Sequence, residues 1–174
     1  VGVGHASPVV AGNLVYVFTR EGDEEVAAAF ELGTGRRVWR QAYPAPYTMN
    51  SAATGHGKGP KSTPVVARGK VYTLGISGTL SSFDAATGAV VWRKEFGRQW
   101  KATSPDFGAA MSPVVEGDVV FAHVGGNGQG AFTAFEADTG ATRWAGTGDG
   151  PGYASPMVVE IGGVRQVITQ SQSQ

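Results

Sequence analysis

The stretch Ala29-Phe30-Glu31-Leu32-Gly33-Thr34-Gly35-Arg36-Arg37-Val38-Trp39 decides the fold, because it recurs. It returns as Ser82-Phe83-Asp84-Ala85-Ala86-Thr87-Gly88-Ala89-Val90-Val91-Trp92, and again as Ala134-Phe135-Glu136-Ala137-Asp138-Thr139-Gly140-Ala141-Thr142-Arg143-Trp144. The shared frame is a small residue, Phe, an acid, two free positions, Thr-Gly, three free positions and Trp. The tryptophans lie 53 and 52 residues apart. A second element precedes each copy: Ser7-Pro8-Val9-Val10, Thr63-Pro64-Val65-Val66, Ser112-Pro113-Val114-Val115 and, a fourth time, Ser155-Pro156-Met157-Val158. An eleven-residue frame repeated at one spacing near 50 marks a structural unit of an array or propeller.

Each unit reads as four strands, A to D. Strand A carries Ser/Thr-Pro-Val-Val. Strand B is Leu14 to Phe18, Val71 to Leu74 or Val119 to Val124. Strand C runs into the acid and Thr-Gly, and strand D holds the Trp. Short Gly-containing turns join A to B and C to D, as hairpins require. The expected fold is all-β: a β-propeller arc of four-stranded antiparallel blades, with three complete blades and half of a fourth. The blades fall at about 5–43, 61–97, 110–146 and 153–174, in one partial domain over 1–174. A closed ring needs more blades than this sequence holds. An open arc leaves sheet faces and edges unpaired, so the sequence is expected to be a segment of a longer chain whose missing blades are its first partners.

Composition agrees. Of 174 residues 27 are glycine, roughly twice the usual ~7%, which suits many tight turns. No apolar 3.6-residue period persists, which argues against helices. Fourteen basic residues balance fourteen acidic ones, so nucleic acid is not an expected partner. Cysteine is absent, which excludes disulfides, thiolate nucleophiles and Cys-type zinc sites. No apolar run approaches the ~20 residues of a membrane-spanning helix.

The motif residues have structural work. Blades bury their faces only against neighbours, so each needs a large apolar wedge. One Trp burying roughly 200 Å² contributes at most about 5 kcal/mol. Trp39, Trp92 and Trp144 are expected to be such wedges, between sheets and out of water. Gly35, Gly88 and Gly140 give the C–D turn a positive φ, and the preceding acid accepts hydrogen bonds from the turn.

On these residues the chain resembles the PQQ-like (pyrroloquinoline quinone) β-propeller repeat family, whose "tryptophan docking" motif is Ala-x-Asp-x-x-Thr-Gly-x-x-x-Trp. All three copies keep Thr-Gly and Trp. Ser82 replaces the Ala of the motif, and Glu31 and Glu136 stand where Asp is usual. The resemblance covers essentially the whole chain and implies an eight-bladed ring and a periplasmic or extracytoplasmic location. It also implies two different activities. Some members are quinoprotein dehydrogenases that oxidise alcohols or sugars with PQQ and calcium. Others are non-catalytic scaffolds, such as the periplasmic lipoprotein that helps assemble outer-membrane β-barrels.

Strand parity puts A–B and C–D turns on one face of the ring and the B–C and D–A loops on the other. Everything long lies in the second class: 41–61, 97–109, 125–130 and 146–153. That face is the expected functional face, although such loops can also merely cover blade edges. Aligning the strand-A starts places His5, Lys61, Ala110 and Tyr153 at one repeat position, on the rim of the axial channel. The rim reads either as a solvated edge or as a contact for an anion or quinone carboxylate. Tyr47, Asn50, His56 and Lys58 in the first long loop and Trp100 in the second complete the candidate binding set.

Other chemistry is weakly supported. Gly55 to Ser62 imitates a phosphate-binding loop, but Pro60 replaces the second Gly and a strand follows, so nucleotide binding is rejected. Ser7, Thr63, Ser112 and Ser155 read as partners of backbone groups near the prolines rather than nucleophiles. His5, His56 and His123 show no metal-ligand spacing, and His123 reads as packed within strand B. The leading expectation is therefore a non-catalytic scaffold of the bacterial cell envelope that binds a protein and needs no cofactor or metal. The first alternative is a PQQ- and calcium-dependent dehydrogenase segment. The second is a carbohydrate-binding propeller using Tyr43, Tyr47, Trp100, Phe107 and Tyr153.

Overall fold

The computed structural model describes residues 1–97, 105–146 and 148–173. Its strands form three four-stranded antiparallel sheets and one hairpin. The first sheet runs β1 (Val9–Ala11), β2 (Leu14–Glu21), β3 (Glu24–Glu31), β4 (Arg37–Pro44). The second runs β5 (Val65–Ala67), β6 (Lys70–Leu74), β7 (Thr79–Asp84), β8 (Val90–Glu95). The third runs β9 (Val114–Glu116), β10 (Val119–Val124), β11 (Ala131–Glu136), β12 (Thr142–Ala145), and β13 (Met157–Ile161) pairs with β14 (Val164–Ile168). Each sheet is a meander in which chain neighbours pair, the propeller blade expected from the repeat. The first long loop adds a 3₁₀ segment, Ser51–His56, that the repeat did not announce.

The motif folds alike three times. Ala29, Ser82 and Ala134 lie directly across the strand from Trp39, Trp92 and Trp144, and the register shifts at the next residue in every blade. That explains the small first position: only a short side chain leaves the facing indole room to lie flat. Gly35, Gly88 and Gly140 have φ of 71, 75 and 70°, and each N–H closes onto the carbonyl of the motif acid. Asp84 also accepts from the Ala86 and Thr87 amides and the Thr87 hydroxyl.

The core lies between sheets rather than within one. Trp39 donates its indole N–H to the Ala85 carbonyl of the second blade at 2.9 Å, and Trp92 repeats the bond to Ala137 of the third at 2.9 Å. The Tyr16 and Tyr72 hydroxyls donate to the same two carbonyls. Each ring rests on the motif glycine of the next blade. A Cβ on Gly88 would sit 2.6 Å from the Trp39 ring, and one on Gly140 2.7 Å from Trp92. The motif glycine therefore carries two constraints, a left-handed turn and a seat for the neighbouring indole.

Nearer the axis, strands β1, β5, β9 and β13 stand side by side. From the second blade on, the Ser/Thr hydroxyl accepts the amide of the preceding blade: Ser7 N–H to Thr63 Oγ1, Thr63 N–H to Ser112 Oγ, and Ser112 N–H to Ser155 Oγ, at 2.8–3.1 Å. Amides at the blade junctions thereby find partners in the next blade.

One expectation needs correction. Trp39 and Trp92 are 7% and 8% exposed, but Trp144 is 48% exposed. Its ring meets Phe121 at a tilt and Phe132 edge-on, both in its own sheet. Among the described residues no Thr-Gly turn meets this indole as those of the second and third blades meet Trp39 and Trp92.

Candidate functional site

The long loops between blades meet on one ring, Phe107. The His56 ring, at the end of the 3₁₀ segment, abuts it edge-on at 5.2 Å. Tyr153, from the loop entering β13, abuts it edge-on at 5.6 Å, and the Phe107 N–H donates to the Tyr153 hydroxyl at 3.3 Å. Lys61 reaches across from the start of the second blade and donates from Nζ to the Phe107 carbonyl at 2.9 Å. Partial burial there holds the Lys61 ammonium below its ordinary pKa. His5 donates through Nε2 to the His56 carbonyl at 2.7 Å, since a carbonyl can only accept. Asn50 caps the 3₁₀ segment through Oδ1 to the Ala52 amide and bonds Asp106 through Nδ2 at 3.0 Å. Tyr47 completes the floor, with its hydroxyl beside Gly108.

His5, Tyr47, Asn50, His56, Lys61 and Tyr153 are thus drawn together around the second inter-blade loop. Lys58 is exposed and is not drawn into these contacts. Trp100 lies outside the described residues. The sequence reading missed Phe107 as the hub and Asp106 as the partner of Asn50. Neither belongs to a repeat, and the only signal was an aromatic beside an acid in a long loop. Tyr43 has to leave the carbohydrate set, because it is 4% exposed and its hydroxyl is bonded to Glu25.

Beside Tyr153 opens a cleft of about 390 Å³, lined among others by Asp106, Asn127, Tyr153, Gln170 and Gln172. The imitation phosphate loop has a structural task instead. The Pro60 carbonyl accepts the His5 and Ala6 amides, and Gly59 packs against the backbone of Val3 and Gly4. His123 is 2% exposed and its Nε2 meets the Asp149 carbonyl at 3.0 Å, a packing arrangement.

Sheets that meander in fours, the first two each locked to the next by an indole, define a β-propeller repeat protein. The model of the outer membrane protein assembly factor BamB family matches residues 22–173. The chain belongs to this family of PQQ-like repeat propellers. It is 29% identical over 116 residues to the outer membrane protein assembly factor BamB of Shewanella oneidensis, covering 67% of this chain and 26% of that protein. It is also 29% identical over 141 residues to a quinohemoprotein alcohol dehydrogenase of Comamonas testosteroni, covering 80% of this chain and 19% of that enzyme. The chain therefore spans about a quarter or less of these relatives. The crystal structure of BamB from Moraxella catarrhalis shares the fold, with a TM-score of 0.57 and 20% identity over 98% of this chain and 49% of that one.

Proposed function

We propose that this propeller segment is a non-catalytic scaffold of the cell envelope that holds another protein on its long-loop face, in an extracytoplasmic compartment. The observation that carries the reading is the convergence of loops from successive blades on Phe107. The polar groups there are occupied in tying loops together: His5 to a carbonyl, Lys61 to a carbonyl and Asn50 to Asp106. Such bonds pre-organise a surface, which lowers the ordering cost of binding, and none of them activates a nucleophile. Relatives named as outer membrane protein assembly factors support the same reading.

The test is a photo-crosslinking residue placed at Tyr153 or, as a control on the short-turn face, at Asn13. A discrete protein adduct from position 153 and none from position 13 is expected. Equal labelling at both positions contradicts the assignment of the face.

A second reading rests on the similarity to a quinohemoprotein alcohol dehydrogenase. It would require PQQ and calcium. Among the described residues no three His, Cys, Asp or Glu side chains gather in one place. Dye reduction over alcohols or sugars by the full-length protein supplied with PQQ and calcium would overturn the scaffold reading.

A further inference from the structure

Between the first two blades, at the loop-face end, lies a completely buried carboxyl group. Glu25 is 0% exposed. On its own sheet it stands directly across from Arg20 on one side and Tyr43 on the other, so the three side chains share the face turned to the second blade. The carboxyl crosses the interface. Oε1 accepts the Ile76 N–H at 2.6 Å, and Oε2 accepts the Tyr43 hydroxyl at 2.8 Å. Gly75 makes the space: a Cβ there would fall 1.8 Å from Oε2. Its backbone needs no positive φ, so the glycine is there to admit the carboxyl.

The surroundings form a relay. The Arg93 guanidinium lies 4.0 Å over the Tyr43 ring, and its Nε donates to Ser81 Oγ at 3.0 Å. Ser81 is fully buried and also bonds the Tyr43 hydroxyl. Arg20 is 3% exposed and directs Nη2 and Nε to the Ala45 and Gly22 carbonyls. Arg20 Nη2 also pairs with Asp23 at 3.4 Å, and both Asp23 and the adjacent Glu24 are exposed. On the far side, the Ile76 carbonyl accepts the Ala109 N–H at 3.0 Å, and a Cβ on Gly108 would strike Ile76. Ile76 thus links the carboxyl of Glu25 to the segment that carries Phe107.

We propose that Glu25 is a proton-responsive positioning residue, and that the proton it takes up or releases shifts the Ile76–Ala109 segment on which the Phe107 hub is built. Both protonation states have partners. The carboxylate accepts from Ile76 and Tyr43, while Ser81 donates to Tyr43. The carboxylic acid donates from Oε2 to the Tyr43 oxygen, and Tyr43 turns its own proton to Ser81. No bond other than these hydrogen bonds changes, and the proton is exchanged with solvent. Losing the charge weakens the short bond from Ile76, because hydrogen bonds to ionised acceptors are the shorter and stronger kind. Burial raises the Glu25 pKa above the ordinary glutamate value, opposed by Tyr43, the Ile76 amide, Arg20 and Arg93. The blade 2–blade 3 junction offers no counterpart: Gly78 and Phe96 occupy the positions of Glu25 and Tyr43.

This inference is independent of what binds the loop face, since its readout needs no partner. In the full chain, the Glu25 side-chain carboxyl carbon and the Ile76 and Ala109 amides are followed by NMR from pH 3 to 9. The Glu25 carboxyl is expected to titrate above the ordinary glutamate range. Both amides are expected to move with the same midpoint, and Glu25→Gln to abolish that step alone. Tyr43→Phe removes a donor to the carboxylate and is expected to raise the midpoint, which keeps the test available if the Gln variant fails to fold. Amides that ignore the Glu25 midpoint, a step that survives Glu25→Gln, or a midpoint unmoved by Tyr43→Phe each overturn the proposal.

Discussion

Trp92 and Trp144 occupy the same place in the same motif, yet one is sealed and the other half in water. Both pair with a small residue across the strand, and both follow the same bulge and turn. They differ in what lies beyond. Trp92 has the Ala137 carbonyl and the open face of Gly140, while Trp144 lies against Phe121 and Phe132 of its own sheet. The motif therefore aims an indole without burying it, and burial belongs to the pair of blades. This is the nearest-neighbour logic of repeat proteins, in which stability is a sum over repeats and the junctions between them.

Truncation should separate the two sites most widely. Trp92→Ala, or Trp39→Ala at the other sealed junction, is expected to cost about 3–5 kcal/mol in urea unfolding, the usual loss for a large buried aromatic. Trp144→Ala is expected to cost less than about 1 kcal/mol, since a half-exposed ring has little to lose. Equal losses would mean that the ring's own sheet, not the next blade, supplies its stabilisation.

The glycines divide the same way with smaller effects. Gly35→Ala meets open space and should cost only the left-handed backbone penalty of about 1–2 kcal/mol. Gly88→Ala and Gly140→Ala meet that penalty plus a collision with Trp39 or Trp92, so each should exceed Gly35→Ala by more than about 1 kcal/mol. Unfolding free energies of the three variants decide it.

A pH comparison sharpens the contrast between turn and junction. Hydrogen bonds from Thr87 hold the Asp84 carboxyl below its ordinary pKa. A depressed carboxylate contributes stability above its unfolded pKa and loses it as pH falls through the folded one. The deficit of Asp84→Ala should therefore be present at pH 7 and close under strongly acid conditions. Glu25 has the opposite sign. Its raised pKa makes the wild type lose stability as pH rises from the ordinary glutamate value through the raised one, a slope that Glu25→Gln should lack. Two-state unfolding followed across pH 3 to 8 separates the two signs.

The smallest effect is expected at the A–B turn of the second blade. Arg68 adopts a φ of 54°, whereas Gly12, Gly117 and Gly162 open the same turn in the other blades. Arg68→Gly should relieve about 1 kcal/mol of backbone strain and forfeit an exposed ion pair to Asp138 at 3.6 Å, worth roughly 0–1 kcal/mol. A small net gain in thermal stability is expected, and a clear loss would show that the ion pair outweighs the strain.

The blades were legible because the motif repeats: Thr-Gly sets the turn, the carbonyl of the acid closes it, and the spacing sets the blade, although only Asp84 also satisfies the turn amides through its side chain. The Ser/Thr before each proline was legible as a partner of backbone amides, though not as a link from one blade to the next. What stayed hidden occurs once. Glu25 and Gly75 lie 50 residues apart in sequence and are meaningful only as a pair, a carboxyl and the gap that admits it. Likewise, Phe107 has no repeat partner. Its role as a hub comes from three loops of unequal length arriving at one place, and composition and spacing do not encode that.

The account turns on indoles sealed by the following blade, and hydrogen exchange at the three indole N–H groups tests this directly. Trp39 and Trp92, bonded to buried carbonyls, are predicted to exchange slowly and only as the chain opens, while Trp144 exchanges at close to the rate of a free indole. Three equal rates, or a protected Trp144 beside an unprotected Trp92, would contradict it.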